Sequence, residues 1–189
     1  MRTAAALAFA MLLCACVQAS PPRAVSPKKV VLDEATTVQN DVRMVLNAGF
    51  QNDVDTMLRY THPQVIVGLG GPEKARDTYQ KMLSEVTKSQ MKLESLTFPA
   101  PPTFLRSTQR RFALVQTASV IDFGTRRVED LGYQLGILEP DSTEWTFVDG
   151  ARISKDNVRI LFPDFPADVE LPKTYRKDLE RERGALQRR

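Results

Sequence analysis

Few side chains in this sequence can do chemistry. Its 189 residues include one histidine, His62, and two cysteines, Cys14 and Cys16. A metal triad or a Ser-His-Asp site would have to use His62, and no second ligand stands at His-x-x-His or comparable spacing. His62 precedes Pro63 between a helix and a strand, a position where a polar residue closes a turn. Both cysteines lie near the N-terminus, so the sequence after them offers no thiolate nucleophile, disulfide or cysteine metal ligand. Gly68-Leu69-Gly70-Gly71 runs into a helix but lacks the lysine and the length of a phosphate loop, and it reads as a turn. No catalytic set, metal or cofactor is expected, and the balance leans away from an enzyme.

Four residues remain as ligand-pocket candidates: Tyr79, Gln134, Trp145 and Asp149. Tyr79 falls on the apolar stripe of a helix, its ring directed to the core and its hydroxyl to an edge. Gln134 shares a strand face with Gly132 and Gly136, which makes it a better cavity candidate than Asp122, expected in solvent. Trp145 shares a face with Phe147, where large aromatics are usually core. Asp149 stands before Gly150 and is most simply a turn signal, unless the strand runs past Val148 and carries its carboxylate into a pocket.

Cys16 carries a different chemistry. A positive start at Arg2, an apolar run from Ala4 to Leu13 and small residues after it form a secretion signal, expected over residues 1–19. The run is too short to span a bilayer, which needs about 20 apolar residues. Leu13-Cys14-Ala15-Cys16 has the form of a lipobox, with Cys16 as the lipidated residue. Cleavage after Val17-Gln18-Ala19 is the competing reading and would give a soluble periplasmic protein. The lipobox is the preferred reading. It makes the chain a periplasm-facing lipoprotein of the bacterial envelope, anchored by acyl chains that contribute about 0.8 kcal/mol per buried CH₂. Residues 20–32 then serve as a polar linker.

Charge narrows the partners. The formal total is +3. Residues 173–189 hold seven basic and three acidic residues, and Arg2 lies in the signal, so the body is left near −2. Such a body is a poor nucleic-acid binder, because phosphate affinity needs cations clustered on a folded face. The basic tail, 173–189, is expected to be solvated and flexible, with Arg176 and Glu180 able to pair across one helical turn.

The elements that must position the candidates follow from periodicity. Helical stripes run over 33–48 (Val38, Val42, Val45, Leu46, with Gly49 as stop), after Asn52 (Val54, Met57, Leu58, Tyr60) and from Pro72 to Lys88 (Ala75, Tyr79, Met82, Leu83, Val86). Val65-Ile66-Val67 reads as a short strand. Strands are expected over 92–98, 111–123, 128–138 and 144–148, joined by short connections that imply an antiparallel meander. Gly132 and Gly136 on one strand face allow strong curvature or close approach by another group. Residues 154–162 read as a short helix capped by Ser154, a strand being the other option.

This order of helices and then meander resembles the nuclear transport factor 2-like superfamily. The echoes are Leu46-Asn47-Ala48-Gly49 with Asp53 to Leu58, His62-Pro63 to Gly68, Gly70-Gly71-Pro72-Glu73, and Trp145 to Gly150. The resemblance covers roughly residues 33–150. It implies an α+β domain over 33–172, a curved antiparallel sheet wrapped around N-terminal helices as a cone-like half-barrel. Ketosteroid isomerase and polyketide cyclase-like enzymes belong to the superfamily, but the isomerase branch's tyrosine falls near Val42 and its base near Gly68. Neither side chain can do that work. The expected role is a non-enzymatic module binding an envelope protein or a small apolar ligand, with homodimerisation open. The alternative is an isomerase- or cyclase-type enzyme with a rearranged pocket.

Overall fold

The structure, a computed structural model, describes residues 33–179. The segments expected as signal and linker, with Cys16, and residues 180–189 lie outside them. Within them the fold is α+β: helices first, then one six-stranded antiparallel sheet.

Helix α1 (Glu34–Gln51) starts where Asp33 accepts a hydrogen bond from Thr36 N at 2.8 Å. It runs through the expected stop at Gly49 and ends at Asn52, whose φ of 59° is left-handed. Asparagine tolerates that region because its short polar side chain can bond locally. Asp53 then caps α2 (Val54–Tyr60), accepting from Thr56 N at 3.0 Å.

The strand expected at Val65-Ile66-Val67 is instead part of a helix, α3 (Pro63–Gly68). His62 is its N-cap, with Nδ1 accepting from Gln64 N at 3.2 Å, and Pro63 occupies the first turn with φ already set. These two start signals override the β preference of three branched side chains. Helix α4 (Pro72–Lys88) follows, also opening on proline and burying Ala75 and Leu83.

The sheet is built on two strands of equal length, β3 (Arg111–Asp122) and β4 (Arg127–Leu138), paired in unbroken register from Arg111↔Leu138 to Asp122↔Arg127. Their tight connection uses Gly124 at φ 79° and Asp122, whose Oδ1 accepts from Gly124 N at 2.7 Å. Each long strand is edged by two short ones. On the β3 side stand β1 (Lys92–Thr97) and β2 (Thr103–Arg106), the latter a strand that the sequence reading did not expect. On the β4 side stand β5 (Thr146–Asp149) and β6 (Tyr175–Asp178). Strand β6 corrects the boundary expected at 173: Tyr175 to Asp178 pair with Leu131 to Val128, and Arg176 binds Asp130 rather than a helical neighbour. The open edge of β4 supplies the backbone partners a solvated tail would lack.

Alternation sends neighbouring residues of β3 and β4 to opposite faces. Ala113 and Val115, with Trp145 and Phe147 from the β5 side, pack against Val38, Val42 and Tyr60 of α1 and α2. Phe112, Leu114, Tyr133, Leu135 and Ile137 face the other way, under Ile153, Val158, Phe162 and Phe165. The latter group includes the short helix α5 (Val158–Leu161), so residues 154–162 hold a helix and not a strand, though a shorter one whose N-cap is Asn157 instead of Ser154. Ser154 and Asn157 cap one another's backbone N–H groups there, at 3.2 and 2.7 Å. Burying such side chains contributes roughly 1.5–3 kcal/mol each. Among the described residues no helix is long and apolar enough to cross a membrane.

Candidate functional site

A cavity of about 400 Å³ lies where α1, α2 and α4 meet the helix-covered face of the sheet. The 3.6-residue stripes turn Leu46, Phe50, Met57, Leu83 and Val86 toward it, and β5 contributes Phe147. The side chains of these helices therefore form a mostly apolar wall.

Three of the four sequence candidates meet here. Tyr79, Gln134 and Asp149 all line the cavity. The Tyr79 hydroxyl lies 3.0 Å from Thr61 Oγ1, and Thr61 in turn donates to Met57 O at 2.7 Å, leaving the Tyr79 hydroxyl as donor in the pair. Gln134 is only 8% exposed, yet its amide has no hydrogen-bond partner among the described residues. The amide is not among the fully buried polar atoms without a partner, so the part of it left accessible opens onto the cavity. Asp149 serves both readings made of it. Its Oδ1 accepts from Ala151 N at 3.0 Å, capping the 3₁₀ turn Gly150–Arg152, while the side chain stays exposed at the cavity rim.

Trp145 lies elsewhere. It is buried in the sheet–helix core, 6.0 Å from the Phe104 ring and under the Arg111 guanidinium. Gly136 makes its seat: a Cβ there would stand 3.2 Å from both Trp145 and Phe147. The strand-face glycine therefore admits aromatic rings and not a ligand.

The sequence reading missed Arg152 and Arg176, which also line the cavity. Arg176 Nε donates to Asp130 at 2.9 Å. Arg152 has no ion-pair partner among the described residues. No local signal pointed to either, since Arg176 arrives through the β4–β6 pairing and Arg152 through the turn after Asp149.

His62 lies outside the cavity. Its ring is buried edge-on to Phe162 at 5.0 Å, and Nε2 donates to Glu139 at 3.3 Å, since Nδ1 is the acceptor of the cap. Burial holds its pKa below the ordinary histidine value against the opposing pull of Glu139. The chain of charges continues from Glu139 to Arg110, 3.5 Å away, and from Arg110 to Asp164 at 3.3 Å. Ser107 Oγ donates to Asp164 as well. Arg110 Nε is near enough to Glu139 for attraction but is not hydrogen-bonded to it. Every member of the chain faces another protein group, so it ties α3, the β4 end and the C-terminal segment together. Among the described residues no group of three or more His, Cys, Asp or Glu could hold a metal ion.

No protein-family model, curated protein or solved structure matches this chain.

Proposed function

We propose that the chain is an exported, lipid-anchored envelope protein whose folded domain is a non-enzymatic binding module for a small apolar ligand. The observation that carries the ligand reading is the mostly apolar cavity of about 400 Å³ with the Gln134 amide open to it. A polar group opening onto an apolar pocket fixes the orientation of a bound molecule. Binding is favoured over isomerase- or cyclase-type catalysis because Asp149 is the single carboxylate in the lining, and it is exposed and engaged as a cap. The other proton carriers of the lining, the hydroxyls of Tyr60 and Tyr79, are engaged with Asp41 and Thr61. A small ligand is favoured over a protein partner or a homodimer on the sheet because residues 150–171 already cover the face opposite the helices.

The nuclear transport factor 2-like cone is part of the same proposal. It is supported by α1 and α2 lying on one side of the sheet and by the parallel bridge from Thr61 to Phe147. The envelope address is supported by the apolar run before Leu13-Cys14-Ala15-Cys16.

Native mass spectrometry of protein purified from the envelope fraction tests the binding reading. A non-covalent mass increment is expected that organic extraction removes, and Val86→Trp, which fills the cavity, should abolish it. Bare protein mass, together with no calorimetric binding of dodecan-1-ol or of a charged dodecyl amphiphile, would overturn it.

A further inference from the structure

We infer that the cavity takes a single-chain amphiphile bearing one negative charge, a carboxylate head on an apolar body; this rests on the cavity being a ligand site. The wall is graded. Phe50, Met57, Leu83 and Val86 make the helical side apolar, whereas the side formed by the 3₁₀ turn and β6 brings Arg152, Arg176 and Asp149 to the rim. An apolar body with one polar end matches that gradient, and neither a wholly apolar nor a wholly polar molecule does.

The charges at the rim choose the head. Arg176 is committed to Asp130, and Asp149 gives an oxygen to Ala151 N. Arg152 is the cation left over, with no carboxylate of the described residues within ion-pair distance. Gln134 stands opposite Asp149 in the β4–β5 register, so its amide adds neutral donors to the same strand face. Guanidinium and amide donors together suit a carboxylate. The carboxylates of Asp149 and Asp130 oppose a second negative charge, which disfavours a phosphate dianion. Size limits the body: about 400 Å³ is near the lower end of the roughly 300–1,000 Å³ range of small-molecule pockets, room for one chain rather than two.

Isothermal titration of the purified chain with dodecanoate, dodecan-1-ol, dodecylammonium and monododecyl phosphate, each below its micelle concentration, tests this. Dodecanoate is expected to bind about tenfold more tightly than dodecan-1-ol, with dodecylammonium weakest. Arg152→Gln should bring the dodecanoate-to-dodecanol ratio close to one, and Arg152→Lys should keep most of it. Arg152 is exposed, so both variants should unfold at the wild-type temperature. A preference for the ammonium or the phosphate, or a carboxylate preference that survives Arg152→Gln, overturns the inference while leaving the cavity a ligand site. No binding of any of the four probes overturns both.

Discussion

Gln134 and Asp149 face one another across the β4–β5 pair, and the two side chains meet opposite fates. The aspartate side chain is exposed and bonded to Ala151 N; the glutamine side chain is largely buried and opens onto the cavity. A fold optimised for stability alone would hold an apolar residue at 134. Gln134→Met keeps the unbranched shape and replaces the cavity-facing amide by an apolar group against an apolar wall, so it should stabilise the protein by about 1 kcal/mol. Chemical denaturation reads this as a higher midpoint at unchanged slope. A lower midpoint would mean that the amide already has a partner.

His62 should make stability pH-dependent in one direction. Its folded pKa is lowered from 6.5 by burial, so the unfolded chain takes up the proton first as pH falls. The neutral ring's contribution is complete above about pH 6.5 and is lost below it. Protonation also removes Nδ1 as the acceptor for Gln64 N. The thermal midpoint should therefore drop between about pH 7.5 and pH 5.5 in the wild type. His62→Asn retains a capping side chain and should show a flatter profile over that interval. The caps Asp33 and Asp53, whose hydrogen bonds to Thr36 and Thr56 lower their pKa values below 3.8, act only in more acid solution. An equal drop in both proteins would remove His62 as the cause.

Two glycines should respond to alanine with opposite signs. At Gly150 a Cβ would lie 2.5 Å from the Tyr133 carbonyl oxygen and its ring, and backbone cannot step aside cheaply. Gly150→Ala should destabilise by about 1–3 kcal/mol. At Gly68, the last residue of α3, a Cβ meets nothing within 4 Å. Gly68→Ala should stabilise by about 0.4–1 kcal/mol through the unfolded chain's lost freedom. Equal effects at the two sites would contradict the packing described around Tyr133.

Labelled palmitate supplied to the producing bacterium should enter the wild-type protein and not Cys16→Ala. Label in neither protein would leave the alternative cleavage after Ala19 and a soluble periplasmic protein.

Sequence periodicity was enough for the parts of this molecule whose structure is local. The stripes over Val38–Leu46 and Ala75–Val86 determine α1 and α4, and the alternation from Leu131 to Ile137 determines β4, because each pattern lets one element bury one face without reference to its neighbours. It also singled out Gln134, since a polar side chain on a glycine-bearing strand face needs a reason. Tertiary structure decided the rest. Val65-Ile66-Val67 follows the helix that His62 and Pro63 start, a contest of local preferences that the His62 contacts with Glu139 and Phe162 help to settle. Tyr175 to Asp178 becomes a strand only because β4 leaves an edge open some 45 residues earlier in the chain, where Asp130 meets Arg176. The cavity itself joins α1, α2, α4, β4, β5 and the turn after β5, which brings Arg152 to it and leaves Trp145 in the core. A pocket is the space that several elements fail to fill, and no single segment encodes it.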